Sequence, residues 1–234
     1  MRNQPEQELP PVVVVRLSGT GGQGLVLMGH LLASAVALRD GLNVVMTKSY
    51  GPEARGGASR TDVIIGPGEI NELAGTSVDI LLSLSQAACD KYYPALVPHG
   101  LLIVDSTYVS VVPTNRAIEV PITETAIKTC NNRMCANVVA LGFLCGFTNL
   151  ASQAAVESAV GDGVKPAFRE LNLKALACGY ELAASVRQGI ADQGRTQKIV
   201  PDYGHLREQP KAAARPRRVA KTAVKGTAPA AALV

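Results

Sequence analysis

A glycine-rich segment near the start of the chain has the composition of an anion-binding loop. It reads Gly19-Thr20-Gly21-Gly22-Gln23-Gly24, after a β-branched apolar run at residues 12–17 and before a proline-free apolar stretch at residues 25–39. A strand, a glycine loop and a helix in this order direct backbone N–H groups and the positive end of the helix dipole toward one point. The spacing of Gly19, Gly21 and Gly24 satisfies the dinucleotide-binding fingerprint.

The residues alone leave the ligand of this loop open. A dinucleotide site expects an acidic residue about 20 residues further on to hold a ribose, but residues 43–51 contain no Asp or Glu, which disfavours NAD. Lys48 could bind a phosphate, yet residues 43–51 contain no arginine that would assist it. A P-loop is excluded because the last glycine is not followed by Lys and Ser or Thr.

A second segment, at residues 49–57, combines several chemically active side chains. It reads Ser49-Tyr50-Gly51-Pro52-Glu53-Ala54-Arg55-Gly56-Gly57, and its glycines and proline indicate a shaped loop. A plain alternative is an exposed loop whose local pair of Glu53 and Arg55 contributes little. In an open α/β sheet the loops after parallel strands meet at one edge. We therefore expect the two loops, residues 83–86 and residues 105–106 to converge.

The elements that would position these loops alternate along the chain. Strands are predicted at residues 12–17, 43–46, 59–65, 79–84, 101–104 and 117–122. Helices are predicted at residues 25–39, near 69–73, and at 86–97, 124–129, 135–147, 152–160 and 166–188, with turns at 98–100 and 161–163. Residues 52–57 are too few for a crossover helix, so the second and third strands are joined as an antiparallel pair or by an irregular loop. The pattern predicts an α/β fold: a three-layer Rossmann-like sandwich with a mostly parallel, mixed sheet and a helical C-terminal part.

Charge and composition divide the chain into three parts: an N-terminal extension (residues 1–11), one α/β domain (residues 12–190) and a basic, Ala/Pro-rich tail (residues 191–234). Residues 207–234 hold seven Lys or Arg and one Glu, a charge of +6 that leaves −2 for the remainder. The basicity therefore belongs to the tail, and nucleic-acid binding by the domain is disfavoured. The tail is too poor in large apolar residues to order itself, so we predict a disordered, solubilising or partner-contacting extension.

Several other functions are disfavoured by residue counts. The five cysteines form an odd, scattered set without an export signal, which predicts reduced thiols and a cytoplasmic protein. No Cys-x-x-Cys occurs, whereas a cubane iron–sulfur cluster needs four thiolates, so we predict no metal site in this chain. The histidines, His30, His99 and His205, lie apart, which argues against a catalytic triad. No apolar run is long enough to span a membrane.

Three segments in order carry a resemblance to a known family. They are Leu17-Ser18-Gly19-Thr20-Gly21-Gly22-Gln23-Gly24, then Ser49-Tyr50-Gly51-Pro52-Glu53-Ala54-Arg55-Gly56-Gly57-Ala58-Ser59-Arg60, then Asp79-Ile80-Leu81-Leu82-Ser83-Leu84-Ser85-Gln86. Together they resemble the gamma subunit of 2-oxoacid:ferredoxin oxidoreductases. The likeness continues through Asp105 and Asn137-Val138-Val139-Ala140-Leu141-Gly142 and covers about residues 12–190. The continuation Ala58-Ser59-Arg60 resembles the 2-oxoglutarate-type subunits more than the pyruvate type.

The resemblance implies that this chain is one part of a larger oxidoreductase. Such enzymes carry out the coenzyme-A-dependent oxidative decarboxylation of a 2-oxoacid, here first of all 2-oxoglutarate to succinyl-CoA and CO₂ or the reverse, and pass electrons to ferredoxin. The complex is expected to use thiamine diphosphate, Mg²⁺, [4Fe-4S] clusters and coenzyme A. The expected partners are alpha and beta subunits, a ferredoxin-like delta subunit and ferredoxin. This chain would carry neither the thiamine nor the clusters, would supply no catalytic residue and would be inactive alone.

The resemblance also implies a site at the sheet edge, either a wall of the coenzyme A and substrate channel or an interface with a partner subunit. Its candidate residues are Gly19, Thr20, Gly21, Gly22, Gln23, Gly24, Tyr50, Glu53, Arg55, Gly56, Gly57, Arg60, Ser85 and Gln86. The loop amides could receive a phosphate, and Arg55 or Arg60 could pair with a phosphate or with a neighbour's carboxylate. The alternative is a free-standing nucleotide-binding or regulatory Rossmann-like module.

Overall fold

The structure is a computed structural model that describes residues 12–49, 57–70, 77–192 and 201–208. Its strands are β1 (Val13–Thr20), β2 (Asn43–Ser49), β3 (Ala58–Gly66), β4 (Val78–Ser83), β5 (Leu96–Asp105) and β6 (Ile118–Val120). Its helices are α1 (Leu25–Ser34, continued by a π-helical segment Ala35–Arg39), α2 (Gln86–Tyr92), α3 (Ile122–Cys130), α4 (Ala136–Thr148), α5 (Gln153–Gly163) and α6 (Arg169–Asp192). None of these described helices is long and apolar enough to cross a membrane.

The six strands form one mixed sheet in the order β2-β3-β1-β4-β5-β6. Strand β3 runs antiparallel to both of its neighbours, β2 and β1, whereas β1, β4, β5 and β6 pair in parallel. The antiparallel connection follows from the shortness of the segment between β2 and β3, which cannot hold a crossover helix. The predicted mostly parallel, mixed sheet is confirmed.

Helices cover both faces of the sheet. On one face, Val15 and Leu17 of β1 pack with α1, α3, α4 and α5 in the larger hydrophobic core. On the other face, Leu81 and Val104 pack with the buried side of α2 in a smaller core. Nearly every residue of α4 is buried, because this apolar helix lies inside the helical layer and packs closely against α6. The three-layer sandwich with a helical C-terminal part is therefore the observed fold.

Several predicted element boundaries are wrong, for reasons of local chemistry. The helix predicted over residues 86–97 ends at Tyr92 and tightens into a 3₁₀ turn at Pro94, and β5 already begins at Leu96, so residues 98–100 are strand rather than turn. Residues 161–163 end α5 rather than form a turn. The break comes at Lys165, which is extended because Pro166 follows it. The helix predicted near residues 69–73 lies mostly outside the described residues.

A short segment at residues 201–208 packs on the domain although the sequence assigns it to the tail. Leu206 is fully buried in the larger core. The Tyr203 N–H donates to Thr148 O at 2.9 Å, and Arg207 Nη1 donates to Asn149 O at 2.7 Å. The predicted disorder of the tail therefore does not hold for this segment. Residues 1–11, 193–200 and 209–234 lie outside the described residues, and the boundaries at 11 and 190 stay predictions.

Candidate functional site

The glycine loop, the start of β3 and the end of β4 meet at one edge of the sheet. The Leu84 N–H donates to Ser18 O at 2.8 Å, and the hydroxyls of Ser18 and Ser83 lie 2.9 Å apart. Because β3 is antiparallel, its first residues lie beside the end of β1, with Arg60 opposite Ser18. The structure thus brings together the glycine loop, Arg60 and the β4 end, as expected from the topology.

Gln23 fixes the shape of the glycine loop. Its Oε1 accepts a hydrogen bond from Thr20 N at 2.7 Å, and its Nε2 donates to Leu84 O at 3.0 Å. A Cβ at Gly19 would lie 2.3 Å from Gln23 Oε1, so the fold of the amide over the loop requires glycine there. Both polar atoms of the Gln23 amide are therefore hydrogen-bonded to the backbone. Gln23, predicted to line a ligand site, instead holds the glycine loop in position.

The tip of the loop, by contrast, is exposed. Gly21 and Gly22 are exposed, and apart from their chain neighbours no atom of the described residues lies within 4 Å of a Cβ built at either glycine. Gly22 and Gly24 have φ of +90° and +74°, a region that favours glycine. Gly24 caps the start of α1. An open turn of small residues directly in front of a helix gives an anion close access to backbone N–H groups.

Asn137, at the start of α4, supports the loop from behind. Its Nδ2 donates to Gly24 O at 3.4 Å, and a Cβ on Gly24 would lie 2.2 Å from that nitrogen. The sequence analysis includes Asn137 in the segment that resembles the family, but does not predict it as a site residue. The signal that could have singled it out is a buried polar side chain inside an otherwise apolar helix.

Arg60 is held by a charged cluster beneath the edge. Arg16 Nε and Nη2 each lie 2.8 Å from an oxygen of Asp62, and Arg60 Nε lies 3.6 Å from the same carboxylate. The guanidinium groups of Arg16 and Arg60 lie 5.6 and 5.5 Å from the centre of the Tyr92 ring. Tyr92 in turn donates from its hydroxyl to Ala58 O at 2.9 Å.

The Tyr92 phenol stays a neutral donor in this cluster. Burial raises its pKa above the ordinary value, and the neighbouring arginines, Arg60 and then Arg16, oppose that rise. Arg60 itself is one-third exposed, since 33% of its side chain is accessible. Its guanidinium is thus fixed from below by a carboxylate and an aromatic ring and accessible from outside, a suitable arrangement for pairing with an anion.

The predicted residues that follow β4 and end β5 serve local structure. Ser85 Oγ accepts from Ala88 N at 3.4 Å as the N-cap of α2. The Gln86 amide donates to Asp90 and Val111 and accepts the N–H groups of Ser110 and Val111. Asp105 accepts from Thr107 N and from the Thr123 hydroxyl at 2.5 Å. The hydrogen bonds of Ser85 and Gln86 therefore stabilise the local backbone at this edge of the sheet.

The second loop is bracketed by described residues but not itself described. Tyr50, Glu53, Arg55 and Gly56 lie in the segment 50–56, outside the described residues. Ser49 ends β2 opposite Arg60, and the half-buried Gly57 precedes β3. The segment therefore leaves and returns at the same sheet edge as the glycine loop. Its predicted contribution to the site stays a prediction.

The thiols do not fit an iron–sulfur cluster. Cys89, Cys135 and Cys145 are buried and Cys130 and Cys178 partly buried. Burial raises the pKa of Cys135 to about 11 and that of Cys145 to about 12, so both are protonated near neutral pH. Within the described ranges, no three His, Cys, Asp or Glu side chains are grouped so that they could hold a metal ion.

Comparison with known proteins identifies the family. The pyruvate ferredoxin/flavodoxin oxidoreductase family model matches residues 14–182. The chain is 42% identical over 176 residues to the 2-oxoglutarate synthase subunit KorC of Methanocaldococcus jannaschii, covering 72% of this chain and 92% of that subunit. It is 41% identical over 178 residues to the KorC subunit of Archaeoglobus fulgidus, covering 76% of this chain and 91% of that subunit.

A solved structure agrees with both sequence and fold. The keto/oxoacid ferredoxin oxidoreductase gamma subunit of Geobacter sulfurreducens is 41% identical, with a TM-score of 0.69, covering 75% of this chain and 98% of that one. The resemblance to a gamma subunit, inferred from the two loops and the β4 segment, is thereby confirmed. Since the matches span most of the chain, it belongs to the pyruvate ferredoxin/flavodoxin oxidoreductase family.

Proposed function

We propose that the chain is the gamma-type subunit of a 2-oxoacid:ferredoxin oxidoreductase that converts 2-oxoglutarate and coenzyme A to succinyl-CoA and CO₂. The observation that carries the proposal is the 42% identity to a 2-oxoglutarate synthase subunit over 92% of that subunit's length. The extent of the match favours a whole subunit over a shared nucleotide-binding motif. Within such a complex the chain acts together with its partners and is inactive alone.

The role proposed for this chain is to form one wall of the coenzyme A channel with its glycine-loop edge. The exposed turn at Gly21 and Gly22, in front of α1, suits a phosphate group of coenzyme A. Arg60 stands at the same edge and can add a bidentate, charge-assisted contact to a phosphate. Gln23 and Asn137 keep the loop in one conformation, which lowers the entropy that binding costs.

The other cofactors belong to the partner subunits in this proposal. Thiamine diphosphate with its Mg²⁺, lying between alpha and beta subunits, supplies the decarboxylation chemistry. The [4Fe-4S] clusters of the beta and delta subunits carry electrons to ferredoxin. In the described part of the chain, no group of three His, Cys, Asp or Glu side chains could hold a metal ion, whereas a cubane cluster needs four thiolates, which supports the assignment of the clusters to other chains. In this proposal the chain orients coenzyme A.

Replacing Gln23 with alanine in the assembled enzyme is expected to raise the KM for coenzyme A roughly tenfold. The substitution removes the contacts to Thr20 N and Leu84 O that fix the loop, and it touches no hydrophobic core. Steady-state kinetics of coenzyme-A-dependent viologen reduction by the anaerobically purified complex measure the effect. The KM for the 2-oxoacid should change less, because the loop is proposed to contact coenzyme A.

Gln153→Ala provides the matched control. Its side chain donates to Glu157 on the exposed surface of α5, and the variant should behave like the parent protein. Failed assembly of the complex with Gln23→Ala would show that the loop is an interface element instead. An unchanged KM with intact assembly would show that the loop contributes neither to coenzyme A binding nor to subunit assembly. Tight nucleotide binding by the isolated chain would favour the free-standing module.

A further inference from the structure

A second surface lies on the helical layer, around the start of α6. It comprises the 3₁₀ turn Arg133–Cys135 and the residues from 165 to 174, and we call it the basic platform. Two large apolar side chains are exposed in it, Met134 at 57% and Phe168 at 54%. Large exposed apolar side chains are typical of protein interfaces.

The two parts of the platform are neighbours because α4 and α6 pack in parallel. Close contacts run from Gly142 with Leu176 to Gly146 with Tyr180, so both helices advance in the same direction. The first turns of α6 therefore stand level with the residues that precede α4, and the 3₁₀ turn Arg133–Cys135 packs against α6. An open depression at the start of α6 is lined by Pro166, Arg169, Glu170, Leu173 and Lys174.

The platform carries an excess of positive charge. Arg133, Lys165, Arg169 and Lys174 form no ion pair with the residues that the structure describes, whose salt bridges lie elsewhere. Glu170 is the acidic side chain among the residues that line the depression. This clustering contrasts with the sequence as a whole, in which everything before the tail has a charge of −2. Unpaired cations around an apolar centre attract an acidic surface.

We propose that the basic platform docks an acidic, apolar-centred surface of another subunit of the oxidoreductase complex. The inference rests on the proposed function, which requires such a partner. Exposed Phe, Met and Arg are residue types enriched at protein interfaces. A nucleic acid is a less suitable partner, because base stacking needs several successive aromatic rings. Among the described residues of the platform, Phe168 is the one aromatic side chain.

Charge reversal at the platform tests the proposal. The full chain is titrated against the co-purified alpha and beta subunits of the same oxidoreductase at low and high salt. Arg133→Glu combined with Arg169→Glu is expected to raise the Kd at least about tenfold at low salt and to flatten its salt dependence. Met134→Ser combined with Phe168→Ser should raise the Kd without changing the salt dependence. All four side chains are exposed, so thermal unfolding should match the parent protein.

Lys221→Glu combined with Lys225→Glu is the matched control, with the same change in net charge placed in the basic tail. Its Kd should stay within about twofold of the parent value. The proposal is overturned if the platform variants bind as the parent does, or if the tail variant loses as much affinity as they do. If the parent chain itself does not bind the partner subunits, the proposed function fails first and the platform proposal with it. Binding of the platform to anionic vesicles or RNA in place of the subunits would also overturn it.

Discussion

Replacing Asp62 with alanine is expected to lower the free energy of unfolding by about 3 to 5 kcal/mol. Asp62 accepts two 2.8 Å hydrogen bonds from Arg16, and both side chains are almost completely buried, at 5% and 2% exposed. Without the carboxylate, the Arg16 guanidinium loses its bidentate partner inside the protein, where a charge is costly. Arg60 loses its anchor in the same step. Urea denaturation of the purified chain measures the change, which corresponds to a fall of about 10 °C in Tm.

Asp162→Ala is the control for the Asp62 prediction. Asp162 pairs with Arg39 at the same 2.8 Å, but 67% of its side chain is exposed. Solvent screening limits such a pair to about 0 to 1 kcal/mol. If the two alanine variants lose similar amounts of stability, the buried pair is not the structural support that the geometry indicates.

Gly179→Ala is expected to destabilise the chain by about 3 kcal/mol. Gly179 lies where α6 crosses closest to α4, and a Cβ there would come within 2.3 Å of Val139 O and 2.7 Å of Phe143 N. Both atoms belong to the backbone, so no side chain can rotate away and the two helices must move apart. Because α4 is buried between α6 and the rest of the core, that movement loosens packing on both sides.

The same helix offers the control, Gly189→Ala. Apart from the backbone of its own helix and its chain neighbours, no atom of the described residues lies within 4 Å of a Cβ built at Gly189, near the end of α6. Alanine should therefore be neutral there or add up to about 1 kcal/mol through its higher helix propensity. Thermal unfolding of both variants distinguishes a packing effect from a propensity effect, and equal stability of Gly179→Ala and the parent chain would contradict the close helix packing.

The sequence was sufficient for features whose cause is local. The glycine loop could be located because a β-branched run, a glycine cluster and a proline-free apolar stretch follow one another within residues 12–39. The short connection before β3 left two possibilities, an antiparallel pair with β2 or an irregular loop, and the structure shows the antiparallel pair. These predictions depend on neighbouring residues and on chain length, and the structure agrees with them.

Features that depend on distant residues could not be predicted. Arg16 lies in an apparently continuous apolar strand, and its partner Asp62 is 46 positions away, opposite it through the β1–β3 register. Asn137 contacts Gly24 across 113 positions. The packing of residues 201–208 depends on a buried Leu206 in a segment otherwise rich in polar residues. In each case the sheet register or the helix packing determines which residues come into contact, and neither can be predicted from a local sequence pattern.

The central claim, that the chain is a subunit of a 2-oxoglutarate oxidoreductase, is tested most directly by reconstitution. The alpha and beta subunits are purified anaerobically with and without this chain, and coenzyme-A-dependent viologen reduction is measured with a panel of 2-oxoacids. We expect activity that requires this chain and is highest with 2-oxoglutarate. Full coenzyme-A-dependent activity in the absence of the chain would contradict the claim, and a preference for another 2-oxoacid would contradict the proposed substrate.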